Sequence, residues 1–376
     1  MKKNKILIIG AGITGITLAE RFVSAGNEVL LIEKRDHIGG NCYDYKDKSG
    51  ILVHKYGPHI FHTNYQEVWD YLSQFTDWLY YQHKVLGVIN GKFVPIPFNL
   101  NTLYELFPLK FAQKLEETLI QNFGYNQKVP ILELKKIKDK DLKFLANFVY
   151  EKVFLHYTEK QWGLKPEEID ASVTARVPVV ISRDDRYFQD KYQGMPKEGY
   201  TKMFEKMLKN ENIEIQLSTD YKKLKNKIQY NFLFYTGPVD EFFNYKFGKL
   251  DYRYLKLDFQ TFNQESYQPS AVVNYPNDYD FTRIIEFKKL TQQNHRKTTI
   301  GIEYPGSEGF MAYPVLDEKN KELFQKYSKE AEQLKKQNIY FVGRLAEYKY
   351  YNMDEAVRSA LGISKYRTYE YKNISK

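Results

Sequence analysis

Five apolar-leaning residues, Lys5–Ile9 (KILII), run without a break into Gly10-Ala11-Gly12-Ile13-Thr14-Gly15. The next stretch, ITLAERFVSAG, carries apolar residues at helical spacing, and NEVLLIE is a second apolar run that ends on Glu33. Short apolar runs bounded by glycine read as buried strands, so the first forty residues predict strand, turn, helix, strand. Residues 64–80 place Val68, Tyr71, Leu72 and Phe75 on one face of a predicted helix. The segments VLGVING and KFVPIPF alternate around Asn90-Gly91, a dipeptide that predicts a hairpin. From 101 to about 170 the pattern turns helical, through TLYELF, FAQKLEETLIQNFG and LKFLANFVYEKVFLHY. Between 250 and 305 the pieces YRYLKLDF, SAVVNY, FTRIIEF and TTIGIEY read as strands of an antiparallel sheet. The end returns to the opening style with NIYFVG, a turn at Arg344, a tyrosine-rich loop and the helical stretch MDEAVRSALGISKY. No internal repeat or low-complexity linker interrupts this order.

The chemistry of the first turn names a ligand class. Gly10 permits a tight turn, Gly12 lets the backbone approach a pyrophosphate, and Gly15 lets the helix pack closely on the strand. Ile13 and Thr14 open the helix, whose free N–H groups and positive dipole end favour phosphate. Glu33, about 20 residues beyond the middle glycine, is placed to accept the ribose hydroxyls of an adenosine. The fold class is therefore α/β, built on a Rossmann-like domain. After Glu33 comes Lys34 and then Gly39-Gly40-Asn41, a glycine pair that resembles the extended fingerprint of the FAD-binding amine-oxidase-like superfamily. That resemblance points to FAD rather than NAD. The expected organisation is a discontinuous FAD-binding domain (1–80, 190–240 and 336–376) and a helical subdomain with a mobile substrate loop (99–175). An antiparallel β-sheet domain (81–98, 176–189 and 241–335) completes it.

Composition narrows the partners. A chain of 376 residues with 43% hydrophobic and 27% charged positions is ordinary for a globular protein of two or three domains. The 33 Tyr and 25 Phe fit a ligand cleft as well as a core. The formal charge of +9 comes from lysines scattered among acids. No helix-turn-helix or RNA-binding signature accompanies it, so nucleic acid is not an expected partner. A positive field also draws in a small anion such as a nucleotide diphosphate. A single cysteine, Cys42, allows no internal disulfide and no cysteine zinc site, which suits a reducing cytoplasm. No run of about 18 apolar residues predicts a membrane span.

Three of the seven histidines fall in HKYGPHIFH, at His54, His59 and His62. The spacing is open to a metal site, a structural role or a ligand-facing role. Pro58 keeps a helix from running through the set, and no carboxylate or cysteine stands nearby at useful spacing. Asn352, with Glu355 three residues on, reads as an N-cap with a capping-box partner for the last helix. Such a helix start either faces a ligand with its positive end or is a plain helix start.

Five longer blocks resemble the prokaryotic UDP-galactopyranose mutase family: HKYGPHIFHT, YTEKQWG, YFQDKYQGMPKEGYTKM, FTRIIEFK and FVGRLAEYKYYNMD. They run over nearly the whole chain, in order. The resemblance implies a homodimeric enzyme that holds FAD non-covalently and works when NAD(P)H or another reductant has reduced it. It implies a UDP-sugar substrate and interconversion of UDP-galactopyranose and UDP-galactofuranose through a flavin N(5)–sugar adduct, feeding cell-surface polysaccharide. The same reaction on UDP-N-acetylgalactosamine, or an oxidoreductase of the same fold, are the alternatives. By resemblance Arg176 and Arg283 hold the diphosphate as catalytic groups. Tyr157 stacks on uracil and Trp162 covers the sugar, with Phe154, Tyr187, Asn274, Tyr313, Tyr350 and His83 also on the substrate side. His59 and His62 lie against the flavin, His62 donating to its edge and counted with the catalytic groups. Arg344, Tyr350, Asn352 and Met353 contact FAD. The chain departs from many members of the family by Asn352, where they carry Asp, and from some by His83, where they carry Asn.

Overall fold

The structure, a computed structural model, describes residues 3–170, 175, 177–224 and 228–374. The expected site residue Arg176 lies outside the described residues.

Lys5–Ile9 is the middle strand of a five-stranded parallel sheet, ordered Ile213–Gln216, Glu28–Ile32, Lys5–Ile9, Phe232–Tyr235, Ile339–Phe341. The strands come from both ends and the middle of the chain, and every pairing is parallel. The sheet's runs are continuous rather than alternating because helices cover it; Ile6, Ile8, Leu31 and Phe234 are almost wholly buried. The helix Ile13–Ser24 packs against the last helix, Met353–Ile374. Two glycines fix the turn between the first strand and this helix. Gly10 has φ +101°, and a Cβ there would sit 2.2 Å from Thr236 Oγ1. A Cβ on Gly15 would sit 2.0 Å from the Gly10 carbonyl oxygen, so the helix reaches the turn only because that side chain is missing.

A second, seven-stranded sheet has the order Phe310–Pro314, Tyr252–Phe262, Thr298–Gly306, Arg283–Glu286, Val272–Asn274, Val85–Ile89, Lys92–Ile96. It is mixed rather than purely antiparallel. Val272–Asn274 pairs parallel with Val85–Ile89, because the hairpin at 85–96 precedes the long helical insertion and is not the chain neighbour of the strand it joins. At its tip Asn90 (φ 50°) and Gly91 (φ 76°) both adopt the left-handed backbone that a two-residue turn of this hand needs.

The helical region contains Leu100–Leu106, Leu109–Phe123 and Lys140–Val149. Asn99 and Asp139 cap the first and third, accepting backbone N–H groups at 3.1 Å and at 2.9–3.0 Å. The third helix loosens into a π-helical stretch, Tyr150–Leu155, before continuing as His156–Trp162. Such bulges cluster at functional sites.

The long helix expected over 64–80 is shorter. Gln66–Leu72 is helical, and Trp78–Tyr80 is a strand paired with Tyr192–Pro196. Trp78 donates from Nε1 to Ser73 Oγ at 2.8 Å and stacks on Trp69 at 4.4 Å. Ladder bonds and ring stacking outweigh the helical periodicity beyond Ser73. Among the described residues no helix is long and apolar enough to cross a membrane.

Candidate active site

One cavity of about 940 Å³ takes walls from both large sheets. Its first group of walls is the glycine turn. Gly10, Gly12, Ile13, Thr14, Glu33, Lys34, Gly40 and Asn41 all line it. Gly15 does not line it; it lies beneath the turn as the contact that seats the helix. Glu33 bridges two loops, accepting from the backbone N–H of Ala11 at 2.8 Å and of Arg35 at 2.9 Å. The backbones of Gly12 and Gly40 approach so closely that a Cβ on Gly40 would lie 2.9 Å from the Gly12 Cα. Arg35 also lines this part. Its guanidinium lies 4.5 Å above the Tyr56 ring and donates to Asn41 Oδ1 at 3.0 Å, leaving a buried Nη1 without a partner.

The second group of walls is a row across the mixed sheet. Register sets Asn274 opposite Arg283, and Arg283 opposite Glu303, on one face. Gly87 continues the row beyond Asn274 and also lines the cavity. Glu303 is buried (3% exposed), with Oε1 3.1 Å from Arg283 Nε and accepting from Thr282 Oγ1 at 2.8 Å. Arg283 also donates to the Tyr157 hydroxyl. Burial disfavours the guanidinium's charge, but Glu303 and the surrounding tyrosine oxygens outweigh it, so Arg283 stays cationic. Glu303 was not among the expected site residues, since its role depends on strand register.

Tyr157 and Trp162 share the helix His156–Trp162, and Phe154 comes from the π-helical stretch before it; all three line the cavity. The helix is fastened at its end by Arg253, which donates to the carbonyls of Gln161 (2.7 Å) and Lys160 (3.1 Å). Lys160 donates to three more carbonyls, those of Tyr275, Tyr279 and Phe281, at 2.5, 2.9 and 3.2 Å. Trp162, Tyr313 and Tyr350 form an aromatic group with centroids 5.1–5.9 Å apart, and the Arg344 guanidinium lies 5.4 Å over Tyr313. Tyr187 and His83 complete this wall, their rings 5.7 Å apart. His83 is 4% exposed; burial, with Arg283 nearby, pushes its pKa down to about 3. Three buried polar atoms here have no hydrogen-bond partner: Asn274 Oδ1, Gln161 Oε1 and Arg283 Nε, the last within ion-pair distance of Glu303. Buried orphans of this kind are costly unless a ligand or water meets them.

The three clustered histidines separate. His54 is 1% exposed, accepts from the His59 N–H at 3.1 Å, and is pushed by burial to about 4. It is a neutral packing residue outside the cavity. His59 and His62 line the cavity. Burial, and then His54, lower His59 to about 3, so it is neutral too. His62 lies flat on Phe188, with centroids 3.6 Å apart, and its Nδ1 is 3.0 Å from Asp190 Oδ2. Among the described residues no group of three or more His, Cys, Asp or Glu is placed to hold a metal ion. Asn352 and Met353 line the cavity at the start of the last helix, where the Asn352 N–H donates to the Glu355 carboxylate at 2.8 Å.

Against known proteins, a family model described as NAD(P)-binding Rossmann-like domain matches residues 8–75, and one described as UDP-galactopyranose mutase matches residues 152–350. A Klebsiella pneumoniae protein named probable UDP-galactopyranose mutase is 38% identical over 368 residues, covering 96% of this chain and 94% of its own. The chain belongs to the UDP-galactopyranose mutase family. A Mycoplasma genitalium member named UDP-galactopyranose mutase is 40% identical, covering 94% of this chain and 92% of its own. An Escherichia coli protein named dTDP-fucopyranose mutase is 36% identical, covering 95% and 97%. Among solved structures, a reduced UDP-galactopyranose mutase aligns with a TM-score of 0.74 at 17% identity, over 97% of this chain and 93% of its own. A putative protoporphyrinogen oxidase from Exiguobacterium aligns at 0.65 and 13%, over 98% and 100%. At those identities the structural likeness speaks for the fold, which the mutase family shares with oxidoreductases and which does not choose the reaction. The family match from 152 to 350 contains Tyr157, Arg283, Glu303 and Tyr313.

Proposed function

We propose that this protein is a reduced-flavin-dependent isomerase that interconverts UDP-galactopyranose and UDP-galactofuranose. The observation that carries the reading is the pair of relatives bearing that name at 38% and 40% identity, each over more than nine-tenths of both chains. The residues present fit FAD. The close Gly12–Gly40 approach, the helix N-terminus and the unpartnered Arg35 Nη1 form a cradle for a dinucleotide, continuous with the Arg283 row. Bound and reduced, FAD supplies an electron-rich nitrogen able to attack the sugar's anomeric carbon.

The chain's own residues do the rest. Departure of the diphosphate from the anomeric carbon develops negative charge. Arg283, with Arg176 as the second expected guanidinium, is the group to hold it. Glu303 pairs with Arg283 at 3.1 Å, and Tyr157 accepts from the Nη2 of the same guanidinium. Loss of such a preorganised donor costs about 3–4 kcal/mol in the transition state. Asn274 Oδ1 and Gln161 Oε1 accept hydroxyl protons of the bound sugar nucleotide, and Trp162, Tyr313 and Tyr350 close the site against water. The dTDP-fucopyranose mutase at 36% identity favours one second reading, the same ring contraction on a dTDP-6-deoxyhexose.

The test is an anaerobic assay after dithionite reduction, offering UDP-galactofuranose and dTDP-fucofuranose in parallel, with products separated by anion-exchange chromatography. UDP-galactopyranose is the expected product, and air-oxidised enzyme is expected to be nearly inactive. Arg283→Ala is expected to bind flavin normally and to turn over at least about a hundredfold more slowly. Reduced, flavin-loaded protein that converts neither furanose overturns the proposal.

A further inference from the structure

His62 is the cavity histidine with an acidic partner, and that partner sits 128 positions away in the chain. Asp190 is held from several sides. Its Oδ1 accepts from Asn64 Nδ2 at 2.8 Å, and the next backbone N–H, of Lys191, donates to Asn64 Oδ1 at 2.9 Å. Gln193, paired opposite His62 in the antiparallel ladder, donates to the carbonyls of Phe188 (3.2 Å) and Asp190 (2.9 Å). The segment 188–190 is thus pinned to the strand that carries His62, and Phe188 fixes the plane of the imidazole by stacking at 14°. The hydrogen bond with His62, ahead of burial, which acts the other way, holds the Asp190 carboxyl below the usual carboxylate range. An ionised carboxylate only accepts, so the proton between the two groups belongs to His62 Nδ1. Nε2 of that ring makes no hydrogen bond among the described residues, and the ring lines the cavity. Asp354, from the first turn of the last helix, His83 and Lys128 are the other titratable groups facing the pair.

We propose that Asp190 is a positioning residue that fixes His62 as the Nδ1–H tautomer, with Nε2 presented to the cavity as a proton acceptor. The inference rests on the mutase reading and sharpens it. A neutral His62 in this arrangement accepts at Nε2, so it donates to a bound flavin or sugar only after taking up a proton there. Behind a metal-bound histidine such a carboxylate is worth about ten- to a hundredfold, and behind a catalytic histidine whose tautomer it fixes as much or more.

Two-bond ¹H–¹⁵N spectra of the flavin-loaded protein at pH 8.5 read the tautomer, with the His62 signal assigned by its loss in His62→Asn. Wild type is expected to show the Nδ1–H tautomer, and Asp190→Ala to show Nε2–H. In the mutase assay Asp190→Ala is expected to lower kcat about tenfold or more with KM within about threefold, and Asp190→Glu to recover most of the rate. An unchanged tautomer, or a changed tautomer with wild-type kcat, overturns the proposal. Should Asp190→Ala fail to bind flavin, Asn64→Ala removes one anchor of the carboxylate and is expected to move tautomer and kcat partway in the same direction. Wild-type values for both overturn it. If the wild-type protein shows no mutase turnover yet displays the Nδ1–H tautomer, the reaction assignment fails and the geometric assignment stands.

Discussion

Acidifying the protein from pH 7 to pH 5 charges His54 in the unfolded chain but hardly at all in the native one. The imidazole is sealed under Tyr200 and Phe287, and burial alone lowers its pKa from 6.5 to about 4. A native pKa below the unfolded value means that the unfolded chain binds more protons between about pH 6.5 and 4, so stability falls as pH falls through that window. At about 1.4 kcal/mol per pH unit below 6.5, this one histidine removes about 2 kcal/mol between pH 7 and pH 5. His54→Asn keeps an acceptor for the His59 N–H and abolishes the titration. It forfeits ring packing but also removes Nε2, a buried nitrogen without a partner, so its cost at pH 7 is expected to be small, about 1 kcal/mol. The assay is calorimetric unfolding of both proteins at pH 7 and pH 5. With about 2.1 cal/mol/K of unfolding entropy per residue over 376 residues, the variant's Tm is expected to fall by about 2–3 °C less than wild type on acidification. His59, whose pKa His54 helps to depress, shifts with the substitution in the same sense, and the remaining titrating groups are common to both proteins and cancel in the difference. Parallel pH dependences would refute a buried, neutral His54.

Two further perturbations separate scaffold from site. Gly15→Ala drives a Cβ into the Gly10 carbonyl, whereas a Cβ on Gly12 has 4.0 Å to its nearest neighbour, the Gly40 Cα. Gly15→Ala is therefore expected to destabilise the flavin-free protein by more than about 2 kcal/mol in urea titrations, and Gly12→Ala to leave it near wild type while losing flavin. Equal stability losses for both variants would contradict that division. Lys160→Met deletes three hydrogen bonds to the loop between Asn274 and Arg283. Faster amide exchange confined to residues 275–281 and a rise in KM larger than the fall in kcat are expected; unchanged exchange would show that the loop is held by other contacts.

The first forty residues could be read almost completely, because glycine spacing, apolar runs and Glu33 are local signals, and Gly10, Gly12 and Glu33 lie where that spacing requires. The hairpin at Asn90-Gly91 was equally plain, since a two-residue turn dictates its own backbone. The helix over 64–80 was misjudged past Ser73 because Trp78–Tyr80 owes its strand to residues 192–196, which no local pattern reveals. Glu303, Asp190 and Gln161 escaped for the same kind of reason. Glu303 reaches Arg283 through cross-strand register, Asp190 meets His62 across 128 positions, and Gln161 is marked only by an oxygen left without a partner.

The row Gly87, Asn274, Arg283, Glu303 draws one residue from each of four adjoining strands. Side chains alternate between sheet faces, so sliding any one of these strands by a single position would send its member to the far side. An added residue in the exposed turn at 263–266 leaves this register intact, whereas one inside a strand moves that strand's member of the row off the cavity. A register error in this sheet would thereby also dismantle one wall of the cavity.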